Sequence, residues 1–293
     1  MFAAVLISDP AAPALDPATA QGLCDRWSGG PLRWLAEGEA AEFPLDAEPA
    51  DLWDRWAALQ DRGIDLALVP AAGRRKRLLL ADMDSTMIAQ ECIDELAAEA
   101  GIGPQIAAIT ARAMNGALAF EPALRERVAL LKGLPATVID KVVAERITHT
   151  RGGSTLVATM TAHGATCVLV SGGFTAFTAR VAADLGFHRH RANVLDIADG
   201  RLTGTVAEPI LGRAAKLQAL QELTAELGLT AADVLAIGDG ANDLAMLGSA
   251  GMGVALHAKP AVAAQCRLRI NHGDLTAALY LQGFARAEFA APS

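Results

Sequence analysis

The chain has 293 residues, of which 52% are hydrophobic and 20% charged, with a formal net charge of −8 and a pI near 5.3. That much apolar surface can offset chain entropy, which excludes a disordered chain. The acidic balance argues against nucleic acid as the main partner, but it leaves anionic substrates open, because a local site can be positive inside an acidic protein.

Residues 2–7 form a short apolar run with no basic residues before it and Asp9 after it, so it reads as a first strand rather than a signal peptide. A helical stretch follows at 17–27, then extended segments at 32–35 and 40–45. Residues 48–62 put Leu52, Trp53, Trp56 and Leu59 on one helical face, which reads as core, and Gly63 stops the helix before a strand at 64–69. The order βαββαβ predicts a small α+β domain over residues 1–73 that resembles ferredoxin-like and ACT-like accessory domains. The stretch 70–77 carries Arg74, Arg75, Lys76 and Arg77 and reads as a linker with a solvated charge cluster.

From Leu78 the grammar changes. Continuous apolar runs at 78–81, 165–170, 234–237 and 253–256 are of the buried parallel-strand kind. Helical segments at 175–185, 213–227 and 242–248 separate them, which predicts an α/β domain over 74–293 built on a parallel sheet. The interval between the first two runs holds helical segments at 93–99, 104–114, 122–131 and 136–146. A crossover needs only a dozen or so residues, so the insert, about 90–152, reads as a helical cap, hinged near Gln90 and at Arg151-Gly152-Gly153. Residues 190–207 read as a hairpin turning at Asp199-Gly200. No apolar run reaches the roughly 18 residues of a membrane span. Cys24, Cys92, Cys167 and Cys266 form no CxxC, and free thiols in a reducing cytoplasm are expected.

Three of the four runs end in residues that can carry chemistry. After 78–81 come Asp82-Met83-Asp84-Ser85-Thr86. Side chains two apart on an extended chain point the same way, so Asp82 and Asp84 emerge together at the carboxyl end of a strand, where open α/β sheets place ligands. Two such carboxylates repel unless a cation or a proton intervenes, although aspartates of this kind also cap helices. After 165–170 come Ser171-Gly172-Gly173, which suit either an anion site or an ordinary turn. After 234–237 come Gly238-Asp239-Gly240-Ala241-Asn242-Asp243, whose oxygen donors suit a hard cation such as Mg²⁺. Leu244 stands where an EF-hand needs Gly, and Asp243 where a dinucleotide fingerprint needs Gly. Lys216, by itself a surface lysine, precedes the last of these strands. Acids, a hydroxyl with glycines, and a lysine at neighbouring strand ends suit phosphoryl transfer.

With these four motifs in order, residues 78–282 resemble the haloacid-dehalogenase-like (HAD) phosphohydrolase superfamily. The strings ADMDSTMIAQECIDELAAEAG, RAMNGALAFEPALRERVALLKGL and LVSGGF resemble its phosphoserine phosphatase family. Residues 1–70 lie outside this resemblance. It implies a HAD-like Rossmannoid sheet with an inserted cap, Mg²⁺, and hydrolysis of phosphoserine as the last step of serine synthesis. It further implies that Asp82 is the nucleophile and Asp84 the general acid and base. Metal would be held by Asp82, Asp84 (through its backbone carbonyl) and Asp239. Ser171, Gly172 and Lys216 would bind the phosphoryl group, with Asn242 and Asp243 in support. Glu91 would take the substrate ammonium and Arg127, rather than Arg125, its carboxylate, with Met114 and Phe120 over the carbon chain.

Other readings remain at this level. The aspartyl-phosphate could be delivered to another alcohol such as homoserine. Residues 1–70 could sense serine over a vestigial core, or could make a homodimer. His188 and His190 lack a third metal ligand and read as exposed histidines, and Cys92 as a small buried thiol.

Overall fold

A computed structural model describes residues 1–114 and 117–292, and the side chain of Met114 lies outside what is described. The first six elements are β1 (Phe2–Ser8), α1 (Pro17–Arg26), β2 (Arg33–Ala36), β3 (Ala40–Leu45), α2 (Leu52–Gln60) and β4 (Ile64–Pro70), in the βαββαβ order expected. Asp16 accepts a hydrogen bond from the Thr19 amide at the start of α1, and Pro17 follows it in the first helical turn. The strands form an antiparallel sheet in the order β2-β3-β1-β4.

This sheet is buried on both faces. Ala4, Leu6, Leu66 and Leu68 pack with Leu23, Leu52 and Leu59 of α1 and α2. Ala3, Val5, Ile7, Ala67 and Val69, on the alternate face, join the core of the rest of the molecule. That is why β1 reads as an unbroken apolar run. An acid on the second face, Asp65, is buried and accepts the backbone N–H groups of Asn271, His272 and Gly273, which satisfies a charge that would otherwise be costly there.

The second sheet contains β5 (Leu78–Ala81), β6 (Thr166–Phe174), β7 (Arg189–Asn193), β10 (Val234–Gly238), β11 (Met252–Leu256) and β12 (Leu268–Ile270). They are parallel, in the order β12-β11-β10-β5-β6-β7. Alternation again sorts the side chains: Leu78, Leu80, Val168 and Val170 pack against Leu220 and Leu223 of α9 (Arg213–Glu226), while Leu79, Ala81 and Leu169 pack with Val157 of α7 (Gly153–Ala162) and Val181 of α8 (Thr175–Leu185). Among the described residues, the insert holds four helices, α3 (Cys92–Glu99), α4 (Gly103–Met114), α5 (Phe120–Ala129) and α6 (Thr137–Arg146).

Three expectations change. Residues 189–193 are the sixth strand of the parallel sheet, so the hairpin is confined to β8 (Leu195–Ala198) and β9 (Arg201–Val206), with Asp199 and Gly200 at φ +50° and +72°. The basic stretch at 74–77 is no solvated linker. Arg74 makes an ion pair with Glu42 at 2.7 Å and donates to the carbonyls of Tyr280 and Leu281, and Arg75 lies over the Phe284 ring and pairs with Glu288. Through Arg74 the first sheet is tied to the C-terminal helix α12 (Ala277–Leu281). Trp53, expected in the core, is 41% exposed and lies beside the Arg269 guanidinium.

Candidate active site

The strands that carry the three strand-end motifs are neighbours: β5 lies between β10 and β6. Their carboxyl ends therefore open on one side of the sheet, over which the cap helices stand. Asp82 is the first residue past β5. The chain then makes a wide turn over residues 83–87, closed by the Ile88 amide on the Met83 carbonyl at 3.0 Å. Ser85 holds φ +54° in this turn, a conformation that costs a non-glycine residue energy and tends to persist at working sites. The turn is what lets Asp82 and Asp84 face one cleft.

Asp82 is buried, and its Oδ1 accepts from the Met83 amide and from Lys216 Nζ, both at 2.7 Å. Lys216, 1% exposed, also donates to Asp243 Oδ1 at 2.6 Å, and Asp243 Oδ2 accepts the Gly240 amide at 3.0 Å. One ammonium thus bridges two buried carboxylates. A β-carbon at Gly238 would run into the Asp243 carboxyl, so this tight loop demands glycine there. Asp239 Oδ1 accepts the Thr86 hydroxyl at 3.1 Å and has no cation partner among the described residues.

Carboxylate oxygens of Asp82, Asp239 and Asp243 lie within 4.8 Å of one another. Three acids stand near a single lysine that pairs with two of them, which leaves an excess of negative charge and hard oxygen donors, the setting a divalent cation fits. The electrostatics agree. Burial pushes Asp82 well above the usual carboxylate range, with Lys216 pulling the other way. Burial, then the charge of Asp243, raises Asp239 to about 6.

Asp84 stands apart from this trio. Its Oδ1 accepts the Cys92 amide at 3.2 Å, and its Oδ2 lies against Gly173, where a β-carbon would sit 2.8 Å away. Burial, then the charge of Glu91, raises Asp84 to about 6. The Ser171 hydroxyl oxygen accepts the Gly173 amide at 2.8 Å in the buried floor. Gly172 is less tightly constrained: a β-carbon there would meet the Phe120 ring at 3.3 Å. The double glycine therefore makes room for an acid on one side and a cap aromatic on the other.

The cleft has a volume of about 490 Å³ and is lined by Asp82, Asp84, Asp239 and Asn242 from the sheet side and by Glu91, Phe120 and Arg127 from the cap. Arg127 donates through Nε to the Ala123 carbonyl and has no ion pair among the described residues, whereas Arg125 is outside and paired with Glu208. Glu91 Oε1 accepts the Ser85 hydroxyl at 2.7 Å. Ser171 and Lys216 lie beneath the lining. Cys92 is a buried thiol pushed up by burial. His188 and His190 are exposed and bonded to the Cys167 amide and the Thr178 hydroxyl. Sequence reasoning passed over Thr86, Arg213 and Lys259; only the Thr86 of DMDST carried a signal, as a hydroxyl one turn from the acids.

A family model of haloacid dehalogenase-like hydrolases matches residues 79–248. The phosphoserine phosphatase of Streptomyces coelicolor is 46% identical over 228 residues, covering 77% of this chain and 55% of its own length. The chain thus spans little more than half of that relative. A HAD family hydrolase of Salmonella enterica serovar Typhi superposes with a TM-score of 0.86 at 31% identity, over 96% of this chain and 97% of its own, so the likeness takes in the N-terminal sheet. A substrate-bound phosphoserine phosphatase complex superposes with a TM-score of 0.66 at 38% identity, over 70% of this chain and 97% of its own.

Proposed function

The chain belongs to the haloacid dehalogenase-like hydrolase family, and we propose that it hydrolyses phosphoserine to serine and phosphate through an aspartyl-phosphate on Asp82. The observation that carries this reading is the shared cleft: a buried Asp82 with one oxygen fixed, Asp84 beside it, and an unpaired Arg127 facing them.

Asp82 Oδ1 is occupied by Lys216 and the Met83 amide, so Oδ2 is the oxygen free to attack. The Oδ2–P bond forms as the bond from phosphorus to the serine oxygen breaks. An alkoxide leaves poorly, so Asp84 gives it a proton, and the value of about 6 keeps part of this acid protonated near neutrality. Asp84 then takes a proton from the water that attacks phosphorus, and Asp82 is released. Lys216, Ser171, Gly172 and Asn242 hold the phosphoryl oxygens. Mg²⁺ would be held by Asp82, the Asp84 carbonyl and Asp239, with Asp243 behind. Its contribution when bound is to offset the negative charge of the phosphoryl group among these acids.

At the other end of the substrate, the two terminal amino groups of Arg127 present a fork that suits a carboxylate. Glu91 is placed for the ammonium. Arg127→Ala is expected to raise KM for phosphoserine by about 30- to 100-fold, the worth of a charged hydrogen-bond pair, and to change KM for p-nitrophenyl phosphate less than threefold. Steady-state kinetics on both substrates check this, and equal effects would remove Arg127 from substrate recognition. A screen of phosphate release from phosphorylated metabolites, with and without Mg²⁺, tests the whole reading: phosphoserine should be the preferred substrate, and only with the metal.

Gly173→Ala supplies a narrower test. The added methyl would push Asp84 Oδ2 aside, and a displacement of about 1 Å in a reacting group costs on the order of 10²-fold in rate. The expected result is a fall in kcat of that size with KM within about threefold; an unchanged kcat would show that Asp84 has no positional role.

Residues 1–73 would serve as an accessory domain fixed to the 74–293 core, with the cap at about 90–152 hinging beside it. Arg151, at the end of the cap, is paired with Asp9 on the N-terminal side at 2.8 Å. Four buried free cysteines suit a reducing, cytoplasmic setting, and no helix among the described residues is long and apolar enough to cross a membrane.

A further inference from the structure

The cleft has to admit a doubly charged phosphate ester, yet Asp82, Asp84, Glu91, Asp94 and Asp239 all line it, in a chain of net charge −8. Lys216 cannot attract substrate from a distance, because it is buried and committed to Asp82 and Asp243. Most of the 25 lysines and arginines are tied up in ion pairs, as Arg125 is with Glu208 and Arg189 with Glu226. Besides Arg127, two cations line the cleft: Arg213 and Lys259. Both are exposed, and neither has an ion pair or a side-chain hydrogen bond among the described residues.

Their positions go against local preference. Arg213 is the first residue of α9, after Gly212, which offers no side-chain cap. A cation at the positive end of a 14-residue helix costs about 0.3–1 kcal/mol, where an acid or a hydroxyl would stabilise. Lys259 precedes Pro260 at the start of α11 (Pro260–Ala263), again where Ser, Thr or Asp is preferred. Both come from the sheet side of the cleft, opposite the cap. Arg213 also lines a second groove behind Phe120, so it stands at the margin rather than over the reacting atoms.

We infer that Arg213 and Lys259 form a cationic rim that draws the phosphate dianion past the acids of the cleft. The inference rests on the phosphatase reading above. The two residues act on capture, and the chemical step belongs to Asp82 and Asp84. Charge placed at a cleft mouth raises association rates and does so in a salt-dependent way.

The test is steady-state kinetics of R213Q, K259Q and the double variant on phosphoserine at low and high ionic strength. At about 0.01 M salt, where charges act over roughly 30 Å, the double variant should lose about tenfold in kcat/KM with kcat within about twofold. Near 1 M, where screening shortens that reach to about 3 Å, the deficit should largely vanish. R213K should retain most of the effect, and melting temperatures should not fall, since both side chains are exposed and R213Q removes a cation from the positive end of α9. An unchanged kcat/KM, a deficit indifferent to salt, or a loss confined to kcat would each overturn the rim. Hydrolysis of p-nitrophenyl phosphate separates the two ideas: if the wild-type chain ignores phosphoserine but shows the salt-dependent deficit on this ester, the phosphoserine reading falls and the rim stands.

Discussion

Asp82→Asn is expected to lose on the order of 10⁴-fold or more in phosphate release, the scale seen when a covalent nucleophile is removed. The amide can still accept the Met83 N–H, so the floor of the cleft keeps its shape, but its nitrogen cannot take the place of Oδ2 at phosphorus. Stability should move the other way. Burial already pushes Asp82 well above the usual carboxylate range, so a neutral side chain removes a cost of desolvation, and thermal unfolding should show a melting temperature no lower than that of the wild type. Loss of rate without loss of stability identifies a group kept for chemistry. Loss of both together would mean that Asp82 serves the fold.

Lys216→Met should damage both at once. The lysine is 1% exposed and bridges Asp82 and Asp243. Burial pulls its pKa down, but the two carboxylates outweigh burial and hold it charged. Removing one partner of a buried ion pair strands the others, which costs about 3–5 kcal/mol. Asp82, already raised by burial, would lose the lysine charge that pulls it down and would lie further above its unfolded value. Such a group contributes most below the unfolded value, and that contribution is lost as pH rises through the folded value. The deficit of the variant should therefore be smaller at pH 5 than at pH 8, as read from denaturant unfolding at the two pH values. A deficit independent of pH would show that packing of the lysine stem, rather than its charge, holds the floor together.

The parts of this molecule that could be read from sequence are those in which local pattern and global position coincide. Leu78–Ala81 and Val234–Gly238 are buried on both faces, so their apolar runs announce central parallel strands, and the acids after them fall at strand ends for the same reason. The edge strands were illegible. Arg189–Asn193 is exposed at its first two residues and rich in charge, and Leu268–Ile270 is three residues long. The helix Gly153–Ala162 escaped notice because three threonines interrupt a segment that is apolar nearly all round.

Long-range pairing also hid from view. Nothing near Arg74 in sequence points to Glu42 or to the Tyr280 carbonyl, so a pin between the first sheet and the C-terminal helix reads as a solvated cluster. The site shows the same division. Asp82, Asp84, Asp239 and Lys216 announce themselves through the motifs they stand in. The glycines at 172 and 173 take their meaning only from Phe120 and Asp84, which arrive from elsewhere in the chain. Arg213 and Lys259 have no motif at all, and it is the walls of the cleft that single them out.

The most direct measurement of the central claim is a single-turnover experiment. The chain is mixed with phosphoserine carrying labelled phosphate in the presence of Mg²⁺, quenched in acid within the first turnover, digested and mapped. The account predicts a hydroxylamine-labile phosphoryl group on the peptide that contains Asp82, absent from Asp82→Asn. Phosphate released at full rate with no label on the protein, or with label on another residue, would contradict it.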